Sequence, residues 1–187
     1  MVKHEFLDSI GFKKELADIL RMKVSNMLAI TSDQVMLCFS HCHSAPNVDT
    51  SKEYFEMVCS HILTAVYRAE NDMHPVFAGW DNVEVDLGVN RREDNINLDK
   101  RAGILKVCGL DKAESKLLLI RVTAHCNVLK RDNYLISPDY FGSIRELLQE
   151  KCGCPVMVIQ GSAGNIAPKY FNSAETPIDA SGAQYRR

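Results

Sequence analysis

The sequence predicts an α/β fold: a mixed, largely parallel sheet flanked by helices, with the strand carboxyl ends forming the site. Three observations carry this. Apolar residues recur every three or four positions over 12–29, as on one face of a helix. The run Leu117-Leu118-Leu119-Ile120-Arg121-Val122 is apolar almost throughout, as in a central strand covered on both faces. A helical stretch over 138–151 then leads into the apolar run 155–160, so strand 117–124, helix and strand form a β-α-β crossover with its two strands parallel.

The other elements follow in order. In the first helix Leu16, Ile19, Leu20, Val24, Met27 and Leu28 make the stripe. Residues 34–40 form a short apolar strand ending at Ser40-His41-Cys42-His43-Ser44-Ala45-Pro46. Thr50-x-x-Glu53 has the form of a capping box, and Phe55, Val58, Ile62, Ala65 and Val66 give the next helix its buried face. Val83, Val85, Leu87 and Val89 alternate with polar residues or glycine, the pattern of a half-buried strand. Ile104–Val107 and 117–122 are extended segments joined through Gly109-Leu110-Asp111-Lys112. Ser137-Pro138-Asp139 starts a helix, with Ser as cap and Pro at the first position, and Gly153 ends it.

At 187 residues the chain is read as a single α/β domain over 1–187. Its 46% hydrophobic and 25% charged content is that of a soluble globular protein. A net charge of -2 supplies no broad electrostatic attraction for nucleic acid. No apolar run approaches the ~20 residues of a membrane span, and Met1–Glu5 lacks a signal peptide's basic and apolar segments. Seven scattered cysteines favour free thiols in a reducing cytoplasm.

Chemistry concentrates at four places. Side chains alternate faces along a strand, so His41 and His43 point the same way, able to ligate a metal or to pair a ligand with a general base. His125 directly follows the central strand, and Gly161-Ser162-Ala163-Gly164-Asn165 directly follows the next parallel one. If the three strands lie parallel in one sheet, these segments share its carboxyl edge, where open α/β sheets bind ligands. The glycine-rich turn is read either as a cradle of backbone N–H groups around a bound oxygen or as a tight turn with Gly161 and Gly164 at positive φ. Asn90-Arg91-Arg92 is either a solvated basic pair or the source of a cation at the site.

In order, these segments resemble the N-terminal catalytic region of the neutral/alkaline non-lysosomal ceramidases. Ser40–Pro46 resembles that family's T-H-T-H-S-G-P, Asn90-Arg91-Arg92 its N-R-S, and Ala124-His125 its A-C-H-P without the cysteine and proline. Ile136–Gly142 resembles I-S-A-D-Y-P-G, and Gln160–Pro168 resembles Q-G-A-A-G-[DN]-[IV]-[SN]-P. The resemblance implies a zinc-dependent hydrolase acting on an N-acyl amide bond of a lipid or small-molecule substrate, with Zn2+ on His41 and His125. It places His43, Arg91 and Asn165 at catalytic positions and Gly161 and Gly164 against the substrate. Ala167 stands where the family has a serine. The family's remaining zinc ligands, a glutamate and a tyrosine, have no counterpart here; Cys42, Cys126, Asp139 or a partner chain are the candidate substitutes. The chain is accordingly expected to be an incomplete portion of a larger catalytic domain that self-associates or pairs with a missing region. A non-catalytic remnant of the fold, and an anion-binding module using the glycine-rich turn, are the rival readings.

Overall fold

The run from 117 to 122, branched aliphatic residues apart from Arg121, does form an internal strand. The computed structural model describes residues 7–92, 97–111, 114–129 and 133–169. Within them β1 (Phe77–Glu84), β3 (Arg101–Cys108), β4 (Ser115–Val122) and β5 (Val156–Gln160) make a four-stranded sheet in the order β1-β3-β4-β5. β1–β3 and β3–β4 are antiparallel and β4–β5 is parallel. A separate two-stranded pair joins β2 (Gly88–Asn90) to β6 (Ile166–Pro168). The sheet is mixed, and the β3–β4 hairpin turns through Gly109, whose N–H donates to Glu114 O. Lys112 of that turn, like Met1–Glu5, lies outside the described residues.

The β-α-β crossover stands as the pattern predicts, except that the helix begins one residue later: Pro138 holds the cap position, and the Ser137 hydroxyl accepts from Asp139 N. Helix α3 (Asp139–Cys152) ends at Gly153, whose left-handed φ of 64° lets its N–H reach Gln149 O. Tyr140 and Phe141 at its start are buried, and with Ile144 and Leu148 they cover the face of the sheet carrying Ile120, Val122, Val156 and Val158. The opposite face is less covered than the apolar run implies. Leu105, Leu119 and Met157 are paired across three strands and only half-buried, and Trp80 beside Leu105 is 51% exposed. Among the described elements α3 is the helix that packs on the sheet, and it covers one face. β1 is exposed along its full length at the sheet edge.

Three predicted elements change. Residues 34–40 form no ladder strand. Ser32–Gln34 is a 3-10 turn, and Phe39 makes a single parallel bridge with Leu7. The alternating run 83–89 is divided between the end of β1 and the start of β2, because Gly88–Asn90 pairs with Ile166–Pro168 instead of continuing the first sheet. Helix α2 (Lys52–Asn71) is capped one residue later than the Thr50 pattern suggests: the Ser51 hydroxyl accepts from Tyr54 N, while Thr50 donates to Asn47 O. α2 packs on α1 (Lys14–Leu28) through Leu20, Val24, Phe55, Val58, Cys59 and Val66, a second core beside the sheet.

Phe141, with no exposed surface, fills the junction of α3 and the sheet. Phe141→Ala is expected to cost about 3–5 kcal/mol through lost burial and the cavity left behind. Leu119→Ala, on the half-covered face, is expected to cost less; urea unfolding of the two variants measures the difference.

Candidate metal centre

The parallel ladder brings two connecting segments together at its end. Beyond Val122 and Gln160, Gly161 N donates to Val122 O at 2.7 Å as a last rung. A Cβ at Gly161 would lie 2.5 Å from Thr123 Oγ1, so only glycine allows this approach. His125 then sits against the turn that follows. Its main-chain N–H donates to Ile166 O at 3.0 Å, and its Nδ1 lies 3.2 Å from Ala163 O. A carbonyl only accepts, so Nδ1 carries the hydrogen and Nε2 keeps its lone pair. The glycine-rich turn therefore offers carbonyl oxygens to a histidine. Neither Gly161 nor Gly164 has positive φ, and the Gly161 N–H is committed to the ladder, so it is not a donor to a ligand oxygen.

His41 and His43 arrive by a different route from the one strand alternation suggests. The segment is pinned by Ser40 N to Leu7 O, Cys42 N to Ser9 O and His43 N to Cys126 O, each at 3.2 Å. Within it His41 has a left-handed φ of 54°. That conformation costs an L-residue roughly 1–2 kcal/mol, and histidine is among the non-glycine residues enriched there. The kink sends the His41 ring toward Ile10, where its Nδ1 lies 2.9 Å from the carbonyl oxygen. His41 and His125 thus share one arrangement, Nδ1–H held by a main-chain carbonyl and the Nε2 lone pair turned to the cluster, which is how ligating histidines are ordinarily oriented.

The three histidines converge. Their rings lie 5.2 Å (41–43), 4.7 Å (41–125) and 5.1 Å (43–125) apart, and one nitrogen from each falls within 4.8 Å of the others. Among the described residues this is the group able to hold a metal ion. His43 Nε2 is 3.1 Å from His125 Nε2. With the His125 hydrogen on Nδ1, the neutral pair requires His43 to donate. Burial lowers the His43 pKa, with His125, His41 and Arg91 adding to the effect. Burial also lowers that of His125, opposed by its bond to Ala163 and assisted by His41 and Arg91. At His43 and His125 the surroundings therefore favour the neutral ring, the form that binds a cation.

Arg91 belongs to the same place. Pairing of β2 with β6 sets its N–H on Asn165 O at 2.9 Å, and its guanidinium donates to Gly164 O at 2.6 Å. Asn165 thus contributes its carbonyl to holding Arg91. The candidate substitute ligands do not join the cluster. Cys42 and Cys126 are fully buried, and their thiols donate to Ser137 O and Pro138 O at the start of α3. Burial holds the Cys126 thiol far above its ordinary pKa, hence protonated. The Asp139 carboxylate accepts from Val128 N, Leu129 N and Tyr140 N. The orienting carbonyls of Ile10 and Ala163 left no trace in the sequence, since any residue supplies a carbonyl.

Fold and site together define a mixed α/β protein with a three-histidine group placed to take a metal. No family model and no curated protein sequence matches the chain. Solved structures do match its fold. The neutral ceramidase from Pseudomonas aeruginosa superposes with a TM-score of 0.69 at 19% identity, covering 86% of this chain and 31% of that one. A ceramidase complexed with C2 gives 0.67 at 19%, covering 81% and 29%. The chain spans under a third of either. At this identity the likeness is one of fold, and it bears out the ceramidase-like arrangement that the motifs imply.

The lowered imidazole values have a definite sign. As pH falls the unfolded chain takes up these protons first, so folded-state stability is full above about pH 6.5 and declines as pH drops through the lowered folded-state values. Urea unfolding of the metal-free protein is expected to show that decline between neutral and mildly acidic pH, and His125→Gln to flatten it.

Proposed function

We propose that the chain carries the histidine part of a zinc-dependent site that hydrolyses an N-acyl amide bond. The observation that carries this reading is the matched pair His41 and His125, each with Nδ1–H on a main-chain carbonyl and Nε2 toward the cluster. These two would hold the ion. His43, the exposed member, bears its hydrogen on Nε2, directed at His125. That suits it to carry a proton between solvent and the amide nitrogen. Arg91, held by its guanidinium donor on Gly164 O, would supply further N–H donors to a developing oxyanion. Bound zinc would acidify a water and polarise the amide carbonyl.

Catalytic zinc ordinarily takes three protein ligands, so a further ligand is expected from a second copy or a partner region. The open sheet face and the exposed edge strand β1 support such an association. The seven free thiols support a reducing, cytoplasmic setting. N-acylsphingosine is the first substrate to try, because the two solved structures compared above are ceramidases. Simpler fatty-acyl amides come next, since Ala167 replaces the family's serine.

Elemental analysis of protein purified without a histidine tag tests the site. About one zinc per chain is expected in the wild type, lost in His41→Ala and His125→Ala and retained in His43→Ala. Amide hydrolysis is expected to fall about 10²–10⁴-fold in His43→Ala. Zinc far below stoichiometric and unchanged by these substitutions would instead establish a non-catalytic remnant of the fold.

A further inference from the structure

His125 stands on a short stretch between the end of β4 and residue 129, and the first turn of α3 holds that stretch on both sides. Upstream, Ala124 O accepts from the Tyr140 hydroxyl at 2.6 Å and from Gln160 Nε2 at 3.0 Å. Downstream, Val128 N and Leu129 N donate to the two oxygens of Asp139 at 3.2 and 2.9 Å, and Tyr140 N donates to the first of them at 2.6 Å. Asp139 is 6% exposed and has a left-handed φ of 53°. A buried carboxylate in a disfavoured backbone conformation persists only where its surroundings over-determine it. Here three main-chain N–H groups do so. Packing of α3 on the sheet is supplied by Phe141, Ile144 and Leu148, which leaves the Asp139 bonds to fix the loop.

We propose that Asp139, assisted by Tyr140, is the positioning residue that sets the His125 imidazole for metal binding, an inference resting on the reading of the three histidines as a metal site. Asp139 touches neither His125 nor the metal position. It acts by clamping the main chain three and four residues past His125 while Tyr140 clamps the residue before it. The ring's angle toward Ala163 O is then a consequence of where α3 begins. Groups that orient a metal's ligands ordinarily change affinity about 10–100-fold when removed.

Asp139→Asn isolates the effect. Asparagine has the same shape and is likewise tolerated at positive φ, but it exchanges one accepting oxygen for a donating NH2, so Val128 N or Leu129 N loses its acceptor. Zinc titration of the full chain against a chromophoric chelator is expected to show affinity weakened about 10–100-fold, with far-UV circular dichroism unchanged. In the metal-free protein, the His125 ring resonances are expected to move and the Val128 and Leu129 amides to exchange faster, while exposed His61 on α2 serves as the unmoved reference. Tyr140→Phe removes one of the two donors to Ala124 O and is expected to weaken zinc less; it decides the matter if Asp139→Asn does not fold. A merely structural role would lower the unfolding midpoint and leave zinc affinity and the His125 resonances where they were, which overturns the inference. If the wild type takes up no zinc, the metal reading fails separately. The ring resonances then decide alone: displacement upholds the positioning role and constancy overturns it.

Discussion

Everything at the site depends on the parallel ladder between β4 and β5. Because the two strands run the same way, both chains leave the sheet at the same edge, and the last rung from Gly161 to Val122 sets them in register as they leave. From that rung the main-chain bonds continue outward, from His125 to Ile166 and from Arg91 to Asn165. A register slip of one residue would turn every side chain to the other face and separate His125 from its carbonyl. The sheet thus defines the site through backbone alone, and the histidines are placed on it as substituents.

Three imidazoles gathered within ring-contact distance would repel one another if charged. At His43 and His125 the fold opposes this by partial burial and by the nearby Arg91, both of which favour the neutral ring. The same arrangement turns one nitrogen of each ring toward a common volume. A divalent cation satisfies them better than protons do, since one ion serves several rings at once. Arg91 works against that cation by like charge and for any anion that accompanies it.

The β-α-β crossover was legible because its signals are local: an apolar run, a helix with a Gly153 terminus, and a second apolar run. The hairpin through Gly109 was legible for the same reason. What was not legible depended on distant partners. Residues 34–40 have the composition of a strand, but their neighbour is Leu7, and one bridge is all they make. The valine alternation near 83–89 could not reveal that Gly88 must pass close to Ile166, where a Cβ would lie 2.4 Å from Ile166 Cγ2. His41, His43 and His125 were each visible as candidates. Strand alternation does not link the first two, since His41 itself is left-handed, and their convergence comes from main-chain bonds to Ser9 and Cys126. The glycine-rich turn carried the right position, but sequence does not say which of its groups face inward: the Gly161 N–H closes the ladder, and Ala163 O receives His125 Nδ1–H.

Cys42 and Cys126 lie in the floor beneath the histidines, one residue from His41 and His43 and one residue from His125, with no surface open to solvent. Their thiols are shut away from alkylating reagents for as long as that floor stays closed. The rate at which such a reagent consumes them is therefore a clock for the opening of the histidine-bearing segments, separable from the reaction of Cys152, which is exposed. An ion that ties those segments together would slow the clock at the two buried positions and leave the exposed one running.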